Sequence, residues 1–262
     1  MSLLEVHPRS LGSPEADLGF EETLLARARE GTAGLFLYAW PRPVLVLGRG
    51  QGPAGIASDR CARLGIPILR RASGGAAVLH DRTLAVTLAL PGRHPWVASI
   101  PGLYDRFVGA IGRVLADLGA PVRRGIPRSQ NSTHRRSPIC FEDVLGESLM
   151  LDGRKVVGCA QARRAGAVLV HGAISLGLDA EVQAAAFGVP ADRIRASIGA
   201  VPLDEAGRRR LPEALVAGFT RALGGPAPAS ALISEGLSRP ACRLARSPAD
   251  WESAWSLAVE HP

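Results

Sequence analysis

Four features of this chain could do covalent chemistry. Cys140 is a thiol, and a thiolate is a strong nucleophile. Lys155 is the only lysine; the other 30 basic residues are arginines. Wherever a positive charge is enough, the chain uses arginine. A lysine ammonium is compact, enters a narrow site and can exchange its proton, which an arginine guanidinium does not do. His171 can carry a proton. The pair Gly74-Gly75 lets a ligand oxygen, carbonyl or phosphate, come close to backbone N–H groups, with Arg70 and Arg71 beside it for charge. Each feature alone has a plainer reading: a small buried thiol, a solvated lysine, a structural histidine and an ordinary tight turn.

The elements that must position these residues follow from periodicity. A helix is predicted over Glu15–Gly31, where Leu18, Leu24, Leu25 and Ala28 share a face. Strands are predicted at Leu35–Tyr38, Val44–Leu47, Ile66–Leu69, Ala76–His80, Thr83–Leu90 and Val168–Leu176, and a short helix at Ser58–Leu64. Pro101–Gly119 reads as a helix with Leu103, Phe107, Ile111 and Leu115 in a stripe. Gly125–Pro138, polar and rich in Pro, Ser and Arg, reads as an exposed loop. Glu147–Leu151 and Lys155–Gln161 form a hairpin around Asp152-Gly153, a strong turn signal between apolar runs. After Ala180 the character is helical, with a helix at Leu211–Leu223, a turn at Gly224–Ala229 and a short amphipathic segment at Pro248–Val259. The layout predicts an α/β (α+β) fold, its sheet mixed and largely antiparallel and flanked by helices. Residues 1–200 are expected to form the catalytic domain, and 201–262 a helical C-terminal extension packed on or appended to it.

Composition narrows the class. The chain has 262 residues, 47% of them hydrophobic, enough for a sizeable core. No run of about 18 apolar residues is present, so no membrane span is expected. Met1–Gly12 lacks a secretory layout, which points to the cytoplasm. Cys61, Cys140, Cys159 and Cys242 form no CxxC pair and have no zinc-ligand spacing, so reduced thiols and no metal are expected. The net charge is +7, which suits an acidic partner. The arginines are scattered in short groups without aromatic interleaving, which disfavours nucleic acid.

Three motifs then come in order. They are Arg70-Arg71-Ala72-Ser73-Gly74-Gly75-Ala76-Ala77-Val78-Leu79-His80, Gly153-Arg154-Lys155-Val156-Val157-Gly158-Cys159-Ala160-Gln161, and His171-Gly172. Together they resemble the catalytic domain shared by lipoate ligases, octanoyltransferases and, more distantly, biotin ligases, over roughly residues 14–200. Ser137-Pro138-Ile139-Cys140-Phe141-Glu142 resembles the Cys-Phe segment of octanoyltransferases that work through a cysteine thioester. ATP-dependent lipoate ligases generally have an Asn-Asp pair nearby, and none lies between Cys140 and Lys155. Ala76, Cys159 and Val170 depart from the family's usual residues.

The resemblance implies a biotin/lipoate ligase type of fold and Cys140 and Lys155 as catalytic residues. Arg70, Arg71, Ser73, Gly74, Gly75, Ala76, His80, Gly158, Ala160, His171 and Gly172 become the substrate-binding set. The implied reaction takes an octanoyl or lipoyl group from an acyl-carrier thioester, through a Cys140 thioester, to the lysine of a lipoyl domain. Partners would be an octanoylated acyl carrier or glycine-cleavage H-type protein, and the lipoyl domains of 2-oxoacid dehydrogenases. No cofactor is required in this branch. The alternatives are an ATP-dependent lipoate-protein ligase, which needs Mg-ATP, and a non-catalytic homologue that binds the acyl chain or carrier. An acyl chain needs an apolar tunnel, where each buried CH₂ contributes about 0.8 kcal/mol. Val78, Leu79 and Val157 are expected to line it.

Overall fold

A computed structural model describes residues 4–126 and 137–225. Its first helix, α1 (Pro14–Arg29), starts where Ser13 accepts a hydrogen bond from the Ala16 N–H and Pro14 takes the first turn. The strands are β1 (Leu4–His7), β2 (Ala33–Tyr38), β3 (Val44–Leu47), β4 (Ile68–Arg70), β5 (Val78–His80), β6 (Thr83–Pro91), β7 (Arg123–Arg124), β8 (Leu149–Leu151), β9 (Arg154–Arg164) and β10 (Ala167–Ser175). The other helices are α2 (Ser58–Arg63), α3 (Ile100–Asp117), α4 (Ala180–Phe187), α5 (Ala191–Ser197) and α6 (Glu205–Ala222). Cys140–Glu142 forms a single 3-10 turn.

Seven strands make one sheet in the order β1-β2-β6-β10-β9-β8-β7. Only the β1–β2 pair is parallel. A second sheet, β4-β3-β5, pairs β3 parallel with β4 and antiparallel with β5. The mixed, largely antiparallel sheet flanked by helices is the architecture read from the sequence. Asp152 and Gly153 both have positive φ, 48° and 77°, as a two-residue turn with the twist of a hairpin requires.

Strand alternation sorts the large sheet into two faces. Leu84, Val86, Leu88 and Leu90 of β6, with Val168, Val170 and Ile174 of β10, pack under α3 and α6 against Leu103, Phe107, Ile111, Leu211 and Phe219. Residues 205–222 therefore belong to the same core as the sheet, with the Phe107 and Phe219 rings 5.3 Å apart. The alternate residues Ala85 and Ala89 of β6 and Leu169 of β10 face α1, against Leu24, Leu25 and Ala28.

Several boundaries differ from expectation, for identifiable reasons. Helix α6 starts at Glu205, six residues early, because Asp204 caps it by accepting from the Gly207 N–H. Pro212, which sequence reading puts at the start, lies inside. The strand expected from Ala76 begins at Val78, because Ala77 instead pairs with Ile139 in a short bridge. The four-residue β1 and two-residue β7 were too short for any periodic signal. The residues 127–136 of the polar loop, the segment Pro248–Val259 and Cys242 lie outside the described residues. No described helix is long and apolar enough to cross a membrane.

Candidate active site

Lys155 reaches the site through an irregularity in the hairpin. Leu149 pairs with Val157 while Met150 pairs with Lys155, so β9 carries one extra residue there. Such a bulge re-aims a side chain relative to plain alternation. It brings Lys155 to the same side as Gly158, although the two are three residues apart. A Cβ added at Gly158 would lie 3.2 Å from Lys155 Cε and 3.3 Å from Cys140 Sγ. Glycine here makes room for both side chains.

Cys140 sits on the 3-10 turn after Ile139. Its N–H donates to Ala77 O at 2.9 Å, and Ala77 N–H donates to Pro138 O at 2.9 Å, so the cysteine segment is tied to the glycine loop. Lys155 Nζ donates to the carbonyls of Cys140 and Asp143, both at 2.8 Å, and lies 4.0 Å from Cys140 Sγ. The Phe141 ring lies 5.7 Å from the ammonium. Lys155 is only 3% exposed, so its charge is held in place beside the sulfur.

Arg71 organises the glycine loop. Its Nε donates to Ser73 Oγ (2.9 Å), and its terminal nitrogens donate to the carbonyls of Val46 (3.1 Å), Gly74 (2.8 Å) and Ala76 (2.9 Å). Burial lowers its pKa, while the Cys140 and Glu21 charges pull it back up. Arg70, by contrast, clamps the carbonyls of Gly48, Arg49 and Gln51. It holds a neighbouring loop and does not border the cleft. Ser73 is buried and bonded to His171 Nε2 at 2.7 Å. Gly75 adopts φ +92°, open to glycine at no steric cost. Its carbonyl would lie 1.9 Å from a Cβ on Gly48, so Gly48 is required for this close approach.

A cleft of about 400 Å³, counting its open mouth, brings together Arg71, His80, Cys140, Gly158, Ala160, His171 and Gly172, with Leu18, Tyr38, Val46, Val78 and Ala85 among its apolar walls. Of the three expected tunnel residues only Val78 borders it. Leu79 packs with Phe187 and Ile194 and borders a second pocket, with Val78, Ile139 and Phe141. Val157 points into the α3 core, opposite Gly158. Gly172 borders the cleft through its backbone; its missing side chain leaves room for Phe107, 3.1 Å from an added Cβ. His80 donates to or accepts from Thr83 Oγ1 at 2.9 Å and is pushed down to about 3, first by burial and then by the Arg71 charge, so it is neutral. Cys159 gives its S–H to Glu147 O (3.4 Å), and burial pushes that thiol far above its usual range. Among the described residues no group of three His, Cys, Asp or Glu is arranged to hold a metal ion.

Sequence reasoning missed Glu21, Tyr38, Thr87 and Gly48. Asp17, Glu21, Leu24 and Ala28 follow one helical stripe, so two acids on the buried face of α1 were the available signal.

The model of the lipoyl protein ligase A/B catalytic domain matches residues 13–207. The chain belongs to this family. Within the lipoyl protein ligase A/B group, curated relatives include the octanoyltransferase LipM of Moorella thermoacetica, 31% identical over 71% of this chain and 69% of the relative. LipM of Kyrpidia tusciae is 32% identical over 78% of this chain and 81% of its own length. A T. acidophilum protein solved with bound lipoic acid superposes with a TM-score of 0.70 at 20% identity, covering 87% and 88% of the two chains. Lipoate-protein ligase A bound with ATP gives 0.65 at 22% identity, covering 85% of each. These two structural likenesses establish the shared fold.

Proposed function

We propose that this protein is an acyltransferase of protein lipoylation that carries an octanoyl group as a Cys140 thioester. The observation that carries the reading is Lys155 Nζ at 4.0 Å from Cys140 Sγ beside a cleft with apolar walls. The relatives named octanoyltransferase LipM support it.

In the first step, the Cys140 thiolate attacks the carbonyl of an octanoyl thioester on a donor carrier. The S–C bond to Cys140 forms, the acyl C–S bond to the donor breaks, and the donor sulfur takes up the proton that Cys140 gave up. In the second, a lipoyl-domain lysine amine attacks the enzyme thioester. The amide forms, the Cys140 C–S bond breaks, and the amine's proton returns to the sulfur. Thioester exchange is nearly balanced and amide formation runs downhill, so no ATP is consumed. The fixed Lys155 ammonium attracts the anionic sulfur in both steps and can relay the amine's proton. Backbone N–H groups of the Gly74-Gly75 loop are the proposed donors to the tetrahedral oxyanion.

The donor in this reading is an octanoylated acyl carrier or glycine-cleavage H-type protein. The acceptors are lipoyl domains of 2-oxoacid dehydrogenases, and the compartment is the cytoplasm, where unpaired thiols persist. The test is multiple-turnover transfer from an octanoyl-carrier thioester to a lipoyl domain. Transfer without ATP supports the reading. Transfer only from free octanoate with Mg-ATP makes the protein a ligase, and binding of octanoyl carrier without turnover makes it a non-catalytic homologue.

A further inference from the structure

Glu21 has no part in the reaction as written, yet it is buried and hydrogen-bonded to three side chains. It lies on α1 and is 1% exposed. Its carboxylate accepts from Tyr38 Oη at 3.0 Å, Thr87 Oγ1 at 2.6 Å and His171 Nδ1 at 3.0 and 3.2 Å. Burial pushes its pKa up, but the His171 charge and these donors outweigh burial and leave it below the usual carboxylate range.

The hydrogen bonds fix a direction. With Nδ1–H committed to Glu21, His171 turns Nε2 toward Ser73 Oγ, 2.7 Å away. Ser73 Oγ also accepts from Arg71 Nε, so one hydroxyl joins the imidazole to the guanidinium. Arg71 then holds the carbonyls of Gly74 and Ala76. The next residue, Ala77, accepts the Cys140 N–H. An unbroken path thus runs from a helix on one edge of the cleft to the nucleophile on the other. Acid, imidazole and hydroxyl stand at the spacing of a nucleophilic triad. Ser73, however, is 1% exposed, its oxygen is occupied by Arg71, and it does not border the cleft. It is a link in the chain.

Resting on the Cys140 reading, we infer that Glu21 is a positioning residue, acting through His171, Ser73 and Arg71 to set the glycine loop and the Cys140 backbone for acyl transfer. Three donors converge on Glu21. All three reach Oε1, which an amide can keep; Glu21→Gln instead removes the charge and sets an amide N–H group 3.2 Å from His171 Nδ1, where Oε2 had been, which unseats the imidazole without changing the volume. His171→Asn keeps an N–H for Glu21 but has nothing that reaches Ser73, so it cuts the same path one step later with the acid still satisfied.

The experiment measures single-turnover acylation of Cys140 by an octanoyl-carrier thioester in the wild type, in both variants and in their double. Alkylation of Cys140 by iodoacetamide is the parallel readout of thiol access and folding. Each single variant is expected to slow acylation ~10- to 100-fold and to leave alkylation near the wild-type rate. The double should be no slower than the worse single, because both cut one path. Wild-type acylation in Glu21→Gln, losses that multiply in the double, or alkylation changing in step with acylation would each overturn the relay. A wild-type chain that is alkylated at Cys140 yet takes up no acyl group overturns the Cys140 reading instead, and the relay with it.

Discussion

The two faces of the seven-stranded sheet are built from the same strands for different ends. Under α3 and α6, every inward position of β6 is a Leu or Val, and the facing helices answer with Leu, Ile and Phe. One residue along, the same strand presents Thr83, Ala85, Thr87 and Ala89 to the other face. There β10 adds His171, β9 adds Gly158 and Ala160, and α1 adds Glu21. The first face gains its free energy from uniform apolar burial. The second gives up side-chain volume for a cleft and pairs polar groups with one another, as Glu21 does with Tyr38, Thr87 and His171. The contrast teaches that a strand's alternation can assign stability to odd positions and chemistry to even ones, so neighbouring residues should respond to mutation in different ways.

The largest effect should come from the cleft face. Lys155→Arg keeps the charge but puts a planar, non-exchanging group where a compact ammonium bonds two carbonyls. Transfer is expected to fall ~100- to 1000-fold with the melting temperature little changed; wild-type turnover would remove the lysine from the chemistry.

Next is Gly48→Ala, which drives a Cβ into the Gly75 carbonyl, 1.9 Å away. Because the obstacle is backbone, the loop must shift. A loss of about 1–3 kcal/mol in chemical denaturation, together with slowed acylation, is expected. Unchanged acylation would show that the glycine loop is not part of the site.

Val157→Ala and Val78→Ala should separate the two faces. Val157 lies in the α3 core and should cost about 2 kcal/mol of stability, with kcat/KM per folded molecule unchanged. Val78 borders the cleft, so its truncation should raise KM for the octanoyl donor more than it lowers stability. The reverse pattern would mean the faces have been assigned the wrong way round.

The smallest effect concerns acid. His80, on the cleft side, has a folded pKa of about 3, below its unfolded value of about 6.5. The unfolded chain therefore binds the proton first. The stabilisation is complete above pH 6.5 and is lost as pH falls toward 3, amounting to about 2 kcal/mol by pH 5. Thermal melts from pH 7.5 to 5 should show a steeper fall for the wild type than for His80→Gln; parallel curves would argue against a buried neutral imidazole.

Much of this was legible in the sequence. The Leu84-Val86-Leu88-Leu90 alternation, the α3 stripe and the Asp152-Gly153 turn are local signals, and each produced the element it announced. Of the residues the motifs name, Cys140, Gly158 and His171 line one cleft, and Lys155 lies buried beside Cys140. What was illegible is non-local. The bulge that turns Lys155 is a pairing irregularity between strands, invisible in either strand alone. Glu21 beside Glu22 reads as helix surface until Tyr38, Thr87 and His171 arrive from three other strands. Arg70 and Arg71 are adjacent in sequence, yet one holds an outer loop and the other the glycine loop. Val157 was misplaced for a simpler reason: an apolar strand residue looks the same whether it faces a tunnel or a core.

The most direct test of the central claim is intact-mass analysis of the protein after incubation with an octanoyl-carrier donor in the absence of ATP. One added octanoyl group is expected, mapped to Cys140, released by hydroxylamine and absent from Cys140→Ala. No adduct, or an adduct that persists in Cys140→Ala, would contradict it.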